Sequence, residues 1–157
     1  MPVQVAVCGP GECTDLEAAQ AYEVGELLAI RGAVVICGGG AGVMAAAAAG
    51  ARVRGGLTVG VHPATRDNAS PDLSVTIATG MGEARNAIIV ASADAVIAIG
   101  GSWGTMSEVA LAKRRGDVPV VALGGWRIVD GEGHDVDGIR HVASPAEAVA
   151  AALRAEP

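Results

Sequence analysis

Glycine-rich segments follow three apolar runs of the chain, and glycine at such points is suited to binding phosphate. Glycine lets the backbone approach a ligand closely, and the helix that follows presents free N–H groups and its positive dipole end to an anion. The segments therefore predict a site for a phosphate-bearing, nucleotide-like small molecule. Their glycines are Gly9 and Gly11, then Gly38, Gly39, Gly40 and Gly42, and finally Gly100, Gly101 and Gly104.

Polar and aromatic residues complete the third segment and its surroundings. Thr105 is predicted to cap a helix, where its hydroxyl would join the N–H groups after Gly104 in holding a phosphate. Trp103 could stack on a base or pack at a subunit contact, and its type favours neither. Arg85 lies near a predicted helix start, where the dipole disfavours a cation, so a phosphate or ribose partner would explain it. A surface salt bridge with Glu83 or with another subunit is the alternative.

Short apolar runs alternate with helical patterns, which predicts a single Rossmann-like α/β domain over residues 1–157. In such a three-layer fold, helices flank a mostly parallel sheet, and the three glycine segments meet at the edge where the strands end. Strands are predicted at 3–8, 33–37, 57–61, 73–78, 95–99, 118–123 and 139–142. Helices are predicted at 14–30, 42–53, 81–92 and 105–115 and from 145 onward.

Two common nucleotide-binding classes are disfavoured by the motifs. The first segment lacks the third glycine of the dinucleotide-binding G-x-G-x-x-G pattern, and the second strand ends without an acidic residue for a ribose. The segment Gly100–Thr105 contains no Gly-Lys-Ser/Thr and is therefore not a P-loop. These features argue against a dehydrogenase and against an ATPase.

Composition narrows the choice of partner and compartment. The net charge is −6, and no block of Lys or Arg interrupts the chain, so we expect neither nucleic acid nor a membrane as partner. The three cysteines have no paired spacing, which predicts neither a disulfide framework nor a metal site. The amino-terminal residues lack the pattern of a signal peptide, so a cytoplasmic protein is expected.

The third glycine segment resembles a known signature. Gly100–Glu108 is similar to the P-G-G-x-G-T-x-x-E motif of the Lonely Guy proteins, which are cytokinin-activating phosphoribohydrolases. Arg85 and Asn86 fall where that family has an Arg-Lys pair, and Gly38–Met44 resembles its first glycine motif. Gly100, Ser102 and Asn86 depart from the family, which has Pro, Gly and Lys at these positions.

The chain resembles a sister group of the Lonely Guy proteins more closely, and this group includes the molybdenum cofactor carrier proteins. The resemblance is carried by the runs 56–60 and 79–86. The two resemblances imply that Met44, Ser102 and Trp103 lie at the ligand together with the glycines. They also imply that Arg85 orients a substrate and that Glu108 is a catalytic carboxylate, able to stabilise an oxocarbenium-like state. Glu108 has a second interpretation, because Thr105-x-x-Glu108 is also a capping box.

Two functions follow from these expectations. One is hydrolysis of a nucleoside 5′-monophosphate to a free base and ribose 5-phosphate. The other is non-catalytic binding, as a carrier or sensor of a nucleotide or of molybdenum cofactor. No cofactor is required by either function, and a homodimer or homotetramer is expected.

Overall fold

A computed structural model describes residues 1–154, which form one sheet of seven strands flanked by helices on both faces. The strand order is β4-β3-β2-β1-β5-β6-β7, and every neighbouring pair is parallel. The predicted Rossmann-like α/β architecture is confirmed. The strands are β1 (Gln4–Cys8), β2 (Val34–Cys37), β3 (Thr58–His62), β4 (Val75–Ala78), β5 (Ala95–Ile99), β6 (Val120–Leu123) and β7 (Ile139–Val142).

Within the described residues, five α-helices connect and cover the strands in two layers. They are α1 (Asp15–Ile30), α2 (Val43–Val53), α3 (Asn86–Ala91), α4 (Trp103–Arg115) and α5 (Pro145–Leu153). One apolar core packs helices α1, α2 and α5 against the sheet, with Val24, Val43 and Val149 among its members. The other packs α3 and α4 against the opposite face through Ile89 and Val109.

The helix predicted over 81–92 is only half α-helical. Its first part is a 3₁₀ turn, Gly82–Arg85, and the α-helix begins at Asn86. Gly82 has φ +59°, a left-handed conformation that no α-helix contains, and its N–H donates to the carbonyl of Pro63. This hydrogen bond fixes the 3₁₀ turn beside the residue that follows β3, and the α-helix starts only after it.

The order of the strands creates a crevice beside β1. The chain adds β2, β3 and β4 on one side of β1, and then returns to add β5, β6 and β7 on the other. In open α/β sheets, ligands bind at such a switch point, outside the carboxyl ends of the strands. The first and third glycine segments follow β1 and β5 and therefore face each other here. Within residues 1–154, no helix has the length and apolar character needed to cross a membrane.

Candidate functional site

A cleft of about 150 Å³ lies at the switch point between β1 and β5. It brings together residues from four segments: the turn after β1, the first turn of α2, the 3₁₀ turn and the start of α4. Most of the side chains predicted to do chemistry are here. The lining residues are Gly9, Pro10, Gly11, Met44, Glu83, Arg85, Ser102, Gly104, Thr105 and Glu108.

Packing explains two of the glycines predicted to bind phosphate. A Cβ atom on Gly9 would lie 2.4 Å from Cγ1 of Val43, and one on Gly42 would lie 2.3 Å from the carbonyl oxygen of Pro10. Gly42 also has φ +65°, which residues with side chains rarely adopt. Both glycines are needed to bring the start of α2 against the turn after β1, whether or not a ligand is present.

Open space surrounds two other glycines of the cleft. A Cβ atom on Gly11 would come no closer than 3.9 Å to Met44, and one on Gly104 no closer than 3.8 Å to Glu83 and Ser102. No packing contact therefore requires glycine at either position. These are the points where a small side chain would meet a ligand rather than protein.

The remaining predicted glycines lie around the cleft without lining it. A Cβ atom on Gly40 would lie 3.1 Å from Cε of Met44, and Gly39 lies beside the buried ring of His62. Gly100 faces the first turn of α1. Within the described part of the chain, no three His, Cys, Asp or Glu side chains are grouped closely enough to hold a metal ion.

Helix α4 begins two residues earlier than predicted. Its N-cap is Ser102, whose hydroxyl accepts the N–H of Thr105 at 3.2 Å, so Thr105 lies inside the first turn and is not the cap. The predicted capping box between Thr105 and Glu108 is therefore wrong, because Glu108 stands more than one turn beyond the cap. The Thr105 hydroxyl lies 3.0 Å from that of Ser102 and is buried in the cleft.

Arg85 is buried, and several hydrogen bonds fix its guanidinium. Nε donates to the carbonyl of Val61 at 3.1 Å, and Nη1 donates to Oδ1 of Asn86 at 2.5 Å and to Glu83 at 3.4 Å. Nη2 lies beside Gly38, where a Cβ atom would come within 2.8 Å of it. Gly38 thus makes room for the guanidinium, and Nη2 has no hydrogen-bond partner in residues 1–154.

Glu108 is a buried carboxylic acid inside the cleft. Burial raises its pKa from 4.5 to about 7, against the opposing effects of a hydrogen bond from the Cys8 thiol and of the Arg85 charge. Burial and the same carboxylate hold the pKa of Cys8 well above its ordinary value. Arg85 and Glu108 line one cleft, but the ion pair of Arg85 within the described chain is with Glu83, at 3.4 Å. Glu108 is therefore poised to exchange a proton near neutral pH.

Two neighbours of the site, Cys8 and Trp126, were not predicted from the sequence, and Glu83 was expected only as an alternative salt-bridge partner of Arg85. Trp126 belongs to the loop after β6 and lies against Gly101, where a Cβ atom would be 2.6 Å from its ring. It meets Trp103 edge-on, with the ring centres 5.0 Å apart. Trp103 itself is 81% exposed. No motif in the sequence indicates that this loop returns to the start of α4.

Comparison with known sequences gives two informative relatives. A protein from Archaeoglobus fulgidus, described as uncharacterized, is 44% identical over 82% of this chain and 88% of its own length. A cytokinin riboside 5′-monophosphate phosphoribohydrolase from Mycobacterium tuberculosis is 37% identical over 71% of this chain and 64% of its own.

Solved structures of two molybdenum cofactor proteins have the same fold. The molybdenum cofactor binding protein of Rippkaea orientalis superposes with a TM-score of 0.85 at 34% identity, covering 96% of this chain and 94% of that one. The molybdenum cofactor carrier protein of Chlamydomonas reinhardtii gives 0.83 at 33% identity and covers 96% of each chain. The model of the SLOG cluster4 family matches residues 2–149, and the chain belongs to that family.

Proposed function

We propose that this protein binds a phosphate-bearing, nucleotide-like ligand in the cleft between β1 and β5. The observation that carries the proposal is the convergence of three features on one small volume. These are the first turn of α4 with its free N–H groups, the guanidinium of Arg85, and the open space at Gly11 and Gly104.

The charges of the cleft favour a phosphate held mainly by the backbone. Arg85 is its one cation among the lining residues, and it faces the carboxyls of Glu83 and Glu108. Burial raises the pKa of Glu108 to about 7, so its carboxyl is neutral more often at neutral pH than that of an ordinary glutamate. The side chain of Glu83 is 76% exposed, so it can swing away when an anion takes its place beside Arg85. A bound phosphate would then accept from the guanidinium and from the N–H groups of α4.

The Gly104→Asp variant tests this site. The new carboxylate fits the open space but puts negative charge where the phosphate would lie, so we expect calorimetry with ribose 5-phosphate to show at least a hundredfold loss of affinity. Gly131→Asp is the matched control, since Gly131 also lies in open space but stands in the loop after β6. Equal affinities of the two variants would contradict the proposal.

The ring of the ligand is proposed to stack on Trp103 and Trp126. A cleft of about 150 Å³ is small for a whole nucleotide-sized molecule, since pockets for such ligands hold roughly 300–1,000 Å³. The exposed Trp103 follows Ser102 directly and precedes Gly104, both of which line the cleft. This arrangement suits a flat ring such as a purine or the pterin of molybdenum cofactor, and the molybdenum cofactor proteins among the structural relatives support the second.

The ring subsite has a direct optical test, because these are the only two tryptophans in the chain. We expect adenosine 5′-monophosphate to quench the intrinsic fluorescence and ribose 5-phosphate to leave it nearly unchanged. If both compounds bind and neither quenches, the pair lies outside the site and is better explained as a subunit contact.

Hydrolysis of an N-glycosidic bond is a second candidate function, favoured by Glu108. Its ionised carboxylate would stabilise the sugar cation that forms as the carbon–nitrogen bond breaks. Water would then add its hydroxyl to the sugar carbon and its proton would pass to the departing base, giving the free base and ribose 5-phosphate. The mycobacterial phosphoribohydrolase relative supports this possibility.

Chromatography of a panel of nucleoside 5′-monophosphates separates the two functions. Base release that disappears in Glu108→Gln identifies a hydrolase with Glu108 as its catalytic carboxylate. Binding without base release, in the wild-type protein, identifies a carrier or sensor.

A further inference from the structure

We propose that Asn86 and Ser107 are positioning residues that lock Arg85 to the start of α4, so that the guanidinium and the helix N–H groups act as one anion clamp. The inference rests on the proposed function and assigns a role to two residues outside the cleft lining. One of the two residues, Asn86, stands where the Lonely Guy proteins, which this chain resembles, carry a lysine.

A continuous line of hydrogen bonds connects the two halves of the clamp. Nη1 of Arg85 donates to Oδ1 of Asn86 at 2.5 Å, and Nδ2 of Asn86 donates to Oγ of Ser107 at 2.7 Å. The Ser107 hydroxyl donates to the carbonyl of Gly104 at 2.8 Å. Three short bonds therefore tie the guanidinium to the first turn of α4.

Asn86 is well suited to this link. It is 2% exposed, and its amide offers both an acceptor for Arg85 and a donor for Ser107. Because Nη1 is bonded to Asn86 and Nε to Val61, the guanidinium is held in one orientation, and neither bond occupies Nη2. Geometry fixed in advance lowers the entropy lost when the ligand binds.

A lysine at this position could not make the same link. Its ammonium group has donors only, so it would leave Nη1 of Arg85 without its acceptor and place a second cation beside it. Asn86 therefore does more than replace a lysine that would contact the phosphate. The two interpretations predict opposite effects for Asn86→Lys: a lost partner would be restored and binding would tighten, whereas a broken link would weaken binding.

The experiment measures ribose 5-phosphate affinity by calorimetry in variants whose folding is checked by thermal melting. We expect Asn86→Lys and Asn86→Ala to lose about tenfold, and Ser107→Ala to lose a smaller factor, because each change breaks the line of hydrogen bonds between Arg85 and Gly104. Ser107 is exposed, so Ser107→Ala keeps the test valid if the Asn86 variants do not fold. Ser107→Thr retains the hydroxyl and should bind like the wild type.

The Arg85→Gln background distinguishes positioning from a general structural effect. If Ser107 acts through Arg85, Ser107→Ala should change affinity less than twofold once Arg85 is replaced. The inference is overturned if Asn86→Lys tightens binding, if Ser107→Ala binds like the wild type, or if its loss persists in Arg85→Gln. Failure of the wild-type protein to bind ribose 5-phosphate would instead refute the proposed function, and this inference with it.

Discussion

Glu108 is a buried acid whose burial is not compensated by its neighbours. It lines the cleft with Arg85 and accepts a hydrogen bond from the Cys8 thiol, yet neither offsets its burial, and its pKa rises to about 7. An acid that is costly to ionise, placed in a concave site, is characteristic of groups that serve binding or catalysis.

Replacing Glu108 by Gln should stabilise the protein, and by more at higher pH. Because the folded-state pKa is raised from 4.5 to about 7, the native protein holds an extra proton across that range and loses stability as the pH rises through it. Gln stays neutral, so the gain should be small near pH 4.5 and reach on the order of 3 kcal/mol above pH 7.

Urea unfolding at several pH values measures this difference directly. Glu23→Gln is the matched control, since Glu23 is exposed on α1. A difference between Glu108→Gln and the wild type that stays constant from pH 4.5 to 8 would refute the proposed burial cost of the carboxylate.

At the residue scale, the sequence predicted most of the site but assigned some roles incorrectly. Arg85, Glu108 and Thr105 do meet in one cleft. The capping pattern was misleading at Thr105, because Ser102 also has a capping hydroxyl and lies one turn earlier. The hydrogen bond between Cys8 and Glu108 was not predicted, since nothing local shows that β1 ends beside Glu108.

The first turn of α4 is the element on which ligand binding depends most. Ser102 holds that turn by accepting the N–H of Thr105, and Ser144 holds the first turn of α5 in the same way, accepting the N–H of Glu147. The two caps are chemically alike, but only the first borders the cleft.

Ser102→Ala and Ser144→Ala form a matched pair. Each should lower the free energy of unfolding by about 1 kcal/mol, the usual cost of losing a capping hydroxyl. Only Ser102→Ala should also weaken ribose 5-phosphate binding, since it loosens the turn that holds the anion. Urea unfolding and calorimetry check the two effects, and equal affinities would show that the turn does not contact the ligand.

Strands and helices were predicted more reliably than the turns that join them. The expected strands 95–99 and 139–142 match β5 and β7. For β5 the signal is local, because its apolar run lies between Asp94 and Gly100. The half-helix at 82–91 was not foreseen, since it depends on the bond between Gly82 and Pro63 and on the inward turn of Arg85. Such contacts join distant parts of the chain and leave no local pattern.

Helices α3 and α4 together form a surface that is suited to contact a second copy of the chain. Ala87, Ala91 and Leu111 border a shallow apolar hollow of about 290 Å³ there, flanked by Arg114 and Arg115. We propose that a second copy of the chain covers this surface.

Leu111→Asp should therefore shift the protein toward a smaller species in sedimentation velocity. A charge buried in an apolar contact weakens the association of the two copies. Leu16→Asp on α1 is the control, since Leu16 is 67% exposed on the opposite layer. If neither variant changes the sedimentation coefficient of an oligomeric wild type, another surface forms the contact.

A second hollow in the fold also carries positive charge that an anion would contact. This larger hollow, of about 390 Å³, lies between β6, β7 and α5 and includes Arg140 and Arg154. The proposed function therefore depends on which of the two hollows binds the phosphate.

The most direct measurement is amide chemical-shift mapping during titration with ribose 5-phosphate. We expect the largest shifts to fall on Gly11 and on the N–H groups of 103–105. Shifts concentrated at 138–140 and 151–154, with the cleft unperturbed, would contradict it.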